Sequence, residues 1–158
     1  MRLALALCLA APSAVAAPPA MVPPAERADF VYLDKSERRL ELRRGGEVLK
    51  TYRVALGFAP EGDKRREGDG KTPEGRYLLD WRNPQSRFHL SLHVSYPDAR
   101  DREEARAAGV PPGGDIFIHG ASRPGAGDWT LGCIAVTDAE MEEIWAMVPN
   151  GTIIEIEP

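Results

Sequence analysis

Leu40-Glu41-Leu42-Arg43 alternates apolar and charged side chains, the two-residue period of a strand with one wet face. Phe30-Val31-Tyr32-Leu33 precedes it across the charged turn from Asp34 to Arg38. Val48 to Leu56 follows across Gly45-Gly46 and puts Tyr52, Val54 and Leu56 on one face. These three runs predict an antiparallel meander. Arg76-Tyr77-Leu78-Leu79 predicts a further strand, entered through the tight turn Thr72-Pro73-Glu74-Gly75, where proline sets φ and Gly75 takes the positive-φ position. Phe88 to Val94 alternates again, with Phe88, Leu90, Leu92 and Val94 on one face and His89, Ser91 and His93 on the other. Asp115 to His119 reads as a short apolar strand ending on a histidine and Gly120, and Thr152 to Glu157 as a closing strand. Helical signals are few. Asp101 to Ala108 predicts a short surface helix stopped by Gly109 and Pro111-Pro112. Thr137-Asp138-Ala139-Glu140 has capping-box spacing, with Met141, Ile144, Trp145 and Val148 at helical intervals behind it. Many strands and one or two short helices predict a mostly-β single domain.

The chain start does not belong to that pattern. Met1-Arg2 is followed by an apolar stretch from Leu3 to Ala11, too short to span a bilayer, and then by small residues through Ala16-Ala17. This is the layout of a secretory signal peptide, expected over residues 1–17. Lipidation at Cys8 fits poorly, because bulky Leu7 stands where such sites want a small residue. The Pro-rich, aperiodic stretch 18–28 reads as a tether, which leaves 29–158 as the domain. The expected location is the periplasm or cell envelope, with no transmembrane segment in the mature chain. The whole sequence has 24 acidic against 20 basic residues, so composition gives no nucleic-acid footprint.

Cysteine changes the picture most. Loss of the export signal leaves Cys133 as the single thiol in an oxidising compartment, where it cannot staple the chain to itself. A lone cysteine is either a small buried hydrophobe or a reactive group. His119 lies 14 positions earlier across a Gly-rich loop, a separation that lets a strand end fold back beside the cysteine. An imidazole so placed would take the thiol proton and make the attacking thiolate. Gly132, lacking a Cβ, would permit a strained turn there and free backbone N–H groups at Gly132 and Cys133 for a developing oxyanion. Two other motifs carry less. Gly70-Lys71-Thr72 fails as a phosphate loop, since Arg65 stands where the first glycine belongs and Pro73 where the helix should start. His89 and His93 alternate along a strand rather than sharing a helix face, with no third ligand nearby, so no metal site is expected.

Ile118-His119-Gly120, Thr130-Leu131-Gly132-Cys133-Ile134 and Thr137-Asp138 together resemble the L,D-transpeptidase catalytic domain, or YkuD domain, whose mark is His-Gly, a variable loop, [Ser/Thr]-His-Gly-Cys and a helix beginning near an Asp. Gly70 to Gly75 is similar to the family's upstream Thr-Pro-x-Gly turn. The resemblance runs from about Asp29 to Glu157 and implies a β-sandwich or barrel-like domain. It implies acyl transfer on peptidoglycan stem peptides, with Cys133 as nucleophile, His119 as general base and acid, and the Gly120 carbonyl orienting the imidazole. Thr130, Trp129 and His93 are the candidate substrate contacts, and no metal or organic cofactor is implied. Two positions depart from the pattern: Leu131 replaces the histidine before Gly-Cys, and Ala135 replaces the Arg or Asn two residues after the cysteine. In this the segment is similar to a divergent branch that includes enzymes detaching a lipoprotein from peptidoglycan, which makes a wall-linked lipoprotein a further candidate partner. Delivery of the acyl group to water (an amidase or carboxypeptidase) and a non-catalytic wall-binding module are the alternative readings.

Overall fold

A computed structural model describes residues 17–121 and 127–158. The signal expected over residues 1–17, and the middle of the loop between Ala121 and Trp129, lie outside the described residues apart from their ends. The predicted meander forms as β1 (Phe30–Asp34), β2 (Arg39–Arg44) and β3 (Glu47–Arg53), each antiparallel to the next. Then come β4 (Gly75–Ser86), β5 (His89–Val94), α1 (Ala99–Ala107), β6 (Phe117–His119), β7 (Ile134–Ala135), α2 (Asp138–Met147) and β8 (Thr152–Glu157).

All eight strands share one sheet in the order β3-β2-β1-β8-β4-β5-β6-β7. The last strand in sequence enters the middle, parallel to β1 and antiparallel to β4, because Ile154 and Ile156 bury one face there against Val31 and Leu33. The sheet also curls until its ends meet. Ala55, just past β3, bridges Ala135 of β7, and Gly57 bridges Thr130. The result is a barrel-like, mostly-β domain, mostly-β as the pattern predicted and barrel-like as the resemblance implied. Helix α2 packs on β5 and β6 and adds Met141, Ile144 and Trp145 to the core, while Thr137 and Glu140 form the expected capping box.

Four details differ from the sequence reading. β4 runs on to Ser86, because its outer half is a wet hairpin arm held by pairing with β5, and no apolar period marks it. Phe88 leaves the Leu90, Leu92, Val94 face: His89 takes φ +69° at the hairpin tip, which breaks the alternation and leaves Phe88 45% exposed. α1 starts two residues early because Asp98 caps it, accepting the Asp101 N–H. The stretch read as a tether is docked, since Val22 N–H donates to the Ala146 carbonyl and Ala28 N–H to that of Met147, both at 2.9 Å.

Candidate active site

β6 delivers His119 between Ser91 of β5 and Ala135 of β7, and the imidazole is 3% exposed. Its Nδ1 lies 2.8 Å from the Gly120 carbonyl oxygen. A carbonyl only accepts, so Nδ1 carries the proton and Nε2 keeps its lone pair. Gly120 sits in a crowded place: a Cβ there would stand 2.5 Å from Asp138 Oδ1 and 3.1 Å from the Phe88 carbonyl oxygen. The Phe88 ring stacks on the imidazole, with centroids 4.5 Å apart and planes at 28°, and Trp129 meets it edge-on at 5.9 Å.

The cysteine sits on a turn built by its own neighbours. Thr130 Oγ1 donates to the Cys133 carbonyl at 2.7 Å and accepts the Gly132 N–H at 3.1 Å. Thr130 is buried with its hydroxyl bonded to backbone, and it still lines the larger of the clefts beside the cysteine. The Gly132 N–H, expected to face an oxyanion, is spent in the same way. The Cys133 N–H donates to no protein acceptor among the described residues. Gly132 has φ +131°, and a Cβ on it would lie 2.6 Å from the Lys71 carbonyl oxygen. The 70–75 turn, singled out in the sequence, is thus the floor under the cysteine. It is itself fixed, because Thr72 is fully buried, accepts the Gly57 N–H on Oγ1, and accepts from Lys35 Nζ on its carbonyl. The other flank is anchored by Asp128, which accepts from both Arg38 Nε and Nη2 and from the Leu56 N–H at 2.8 Å.

The Cys133 thiol donates to the Asp115 carbonyl at 3.4 Å, and among the described residues no hydrogen bond joins it to His119. Catalytic hydrogen bonds often tighten only when substrate is bound. Burial pushes the thiol above its ordinary value, against a smaller opposite pull from the Phe117 N–H. Burial also pushes His119 below the usual histidine range, partly offset by its bond to Gly120. Both shifts favour the uncharged forms of the two side chains. Asp115 was not singled out in the sequence; its φ of +55° turns its carbonyl onto the sulfur. Phe88 was hidden by an apparently regular strand.

Two clefts meet at this pair. One, of about 470 Å³, is walled by Asn83, Gln85, Ser86, Arg87, Ser91 and Phe117. The other, of about 580 Å³, runs past Lys64, Glu67, Gly113, Ile116, Trp129 and Leu131. Phe88, Asp115, His119 and Cys133 line both. His93 lines neither and lies one side chain back, packed on Phe117 at 5.0 Å with Nδ1 2.6 Å from Asp80. His89 pairs separately with Glu142 at 2.8 Å, and no cluster of three metal-binding side chains occurs among the described residues.

The sequence model of the YkuD L,D-transpeptidase catalytic domain matches residues 28–156. The chain belongs to this family. It is 30% identical over 131 residues to the Escherichia coli (strain K12) protein named Putative L,D-transpeptidase YafK, a match covering 78% of this chain and 48% of YafK. The chain thus spans about half the length of the curated relatives it matches. Among solved structures it resembles the helical cell shape determining protein Pgp2 from Campylobacter jejuni, at 25% identity and TM-score 0.62 over 81% of this chain and 46% of Pgp2. An L,D-transpeptidase from Xylanimonas cellulosilytica shares the fold at 19% identity and TM-score 0.57, over 85% of this chain and 63% of that one.

The two departures from the family pattern occupy different surroundings. Leu131 is 77% exposed at the mouth of the larger cleft, so an apolar side chain stands at the entrance where the family carries an imidazole. Ala135 is buried opposite Ala55 and lines a separate cavity with Arg38, Arg53, Asp128 and Glu140. No helix among the described residues is long and apolar enough to cross a membrane.

Proposed function

We propose that this domain is a peptidoglycan acyltransferase of the cell envelope that carries a stem peptide as a thioester on Cys133 and hands it to an amine. The observation that supports this most is the pair of clefts sharing His119 and Cys133, since a transfer reaction must seat a donor and an acceptor on two sides of one sulfur. As Sγ attacks the donor carbonyl beside a meso-diaminopimelate centre, the thiol proton passes to His119 Nε2. The resulting oxyanion is held by the Cys133 N–H, with Gly132 supplying the turn rather than a donor. Collapse breaks the donor C–N bond, and the leaving amine takes the proton back from the imidazole. The acceptor amine then attacks the thioester and gives its proton to Nε2; the C–S bond breaks and the departing thiolate takes that proton from the imidazole, leaving a new amide and a free thiol. The Gly120 carbonyl keeps Nδ1 protonated throughout, so Nε2 is the nitrogen that cycles.

Residues 1–17 support export to the periplasm. Pgp2 is named for helical cell shape, and a contribution to cell shape follows from the same wall chemistry. Water as acceptor would make the same site an amidase or carboxypeptidase, and a wall-linked lipoprotein is a donor the larger cleft would have to admit. Incubation with defined muropeptides, with and without an amine acceptor, separates these outcomes by the masses of the products. Transfer predicts an acceptor-dependent cross-linked product; hydrolysed product in equal amount under both conditions would replace the transferase reading with a hydrolytic one.

A further inference from the structure

Next to the site, the strand register builds a second feature that the proposed chemistry does not use. Across β4, β5 and β6 the residues Asn83, Ser91 and His119 stand in one rung, and Trp81, His93 and Phe117 in another. Residues two apart on a strand share a face, so the second rung looks out on the same side as His119. Its rings form a continuous surface. Trp81 stacks on His93 at 5.4 Å and 26°, both meet Phe117 edge-on at 5.4 and 5.0 Å, and Trp81 remains 43% exposed. Asp80 fixes the His93 imidazole at 2.6 Å and leaves its own carboxylate half open to solvent. Phe117 and Asn83 also line the smaller cleft, which makes the ring surface continuous with it.

We propose that Trp81, His93 and Phe117, with Asp80, form a saccharide subsite for an uncharged N-acetylated sugar of the glycan strand, an inference that rests on the stem-peptide reading of the cleft beside it. A pyranose ring offers one face of C–H groups to an aromatic plane and a rim of hydroxyl and amide groups to carboxylate and carboxamide side chains. Trp81 supplies the plane, while Asp80 and Asn83 supply the rim. The nearby Arg82 is not available to an anion, because its guanidinium lies over Trp145 at 4.0 Å and donates to the Val148 carbonyl. With Asp80 at the rung, an uncharged ligand fits better than a phosphate or a free carboxylate. Spacing agrees. Two residues along a strand and two strands across put Trp81 about 12 Å from His119, the reach of three to four extended residues. A short peptide with its reactive carbonyl at Cys133 would therefore bring its sugar over Trp81.

The test uses the full chain and chitotetraose, the tetramer of N-acetylglucosamine, followed by NMR of the Trp81 indole and the His93 ring. Saturable shifts at both rings are expected in the parent protein, and the shift at the His93 ring should be lost in Trp81→Ala and kept in Trp81→Tyr. A second arm compares turnover of a disaccharide-tetrapeptide with that of the same tetrapeptide lacking sugar. Trp81→Ala should raise KM for the first about tenfold, the size of one lost aromatic contact, and leave kcat and the sugar-free substrate unchanged. Absence of chitotetraose shifts at Trp81, or an equal loss on both substrates, would overturn the subsite. The binding arm needs no catalysis, so chitotetraose bound at Trp81 in a protein inactive on every muropeptide would keep the subsite and reject the acyltransferase reading.

Discussion

Replacing Gly132 by alanine tests whether the cysteine turn is held as described. The residue has φ +131°, outside the range an L side chain readily adopts, and the added Cβ would meet the Lys71 carbonyl oxygen at 2.6 Å and Ile116 Cδ1 at 3.0 Å. The backbone strain alone costs about 1–3 kcal/mol. Overpacking adds about 1–3 kcal/mol, because the Lys71 carbonyl cannot easily yield: Thr72 next to it is tied to Gly57 and Lys35. The expected loss is therefore about 2–6 kcal/mol. At about 2–4 °C per kcal/mol for a domain of this size, the melting temperature should fall by roughly 4–24 °C. Gly151→Ala is the control. It also has positive φ, +85°, but nothing lies within 4 Å of its Cβ, so it should cost only about 1–2 kcal/mol. Urea unfolding of both variants, followed by tryptophan fluorescence, gives the two values directly. A Gly132→Ala loss no larger than that of Gly151→Ala would refute the close approach of the 70–75 turn to the cysteine.

Asp128→Ala should destabilise the domain by about 2–4 kcal/mol at pH 7, because it removes charge-assisted bonds and orphans the Leu56 N–H. Burial raises the Asp128 pKa, but the Arg38 fork and the Leu56 N–H outweigh it and the net shift is downward. A lowered pKa means stability present above the ordinary aspartate range and lost as pH falls below about 4, so the gap between parent and variant in urea unfolding should narrow at pH 3. Phe88→Ala uncovers the imidazole and should move the acid limb of kcat/KM upward toward the ordinary histidine value, with Phe88→Trp restoring it. An unchanged limb in pH–rate profiles of the alanine variant would show that Phe88 does not shield His119.

The meander, the capped helix α2 and the closing strand were legible because each is written locally, as alternation with a turn or as a cap at fixed spacing. The insertion of β8 between β1 and β4 and the Ala55 to Ala135 bridge were not, since nothing in a strand's own residues names its neighbour. The site divides the same way. His119 and Cys133 stood out because their residue types carry chemistry and their spacing crosses a glycine-rich loop. Phe88 looked like one more core residue until a positive φ at His89 turned it onto the imidazole. Thr130 was legible only as a candidate substrate contact, and nothing in its own neighbours announced that its hydroxyl satisfies the turn it belongs to. Asp128, a loop carboxylate without a motif, gained its role from Arg38, 90 residues away in sequence.

The proposed function stands on acylation of Cys133 with His119 as its base. Intact-mass measurement of the protein after incubation with a carbapenem, which acylates the nucleophile of this family, tests it most directly. One adduct per chain is expected, mapped by peptide digestion to Cys133, absent in Cys133→Ala and formed far more slowly in His119→Ala. A folded parent protein that gains no mass, or an adduct that persists in Cys133→Ala, would contradict it.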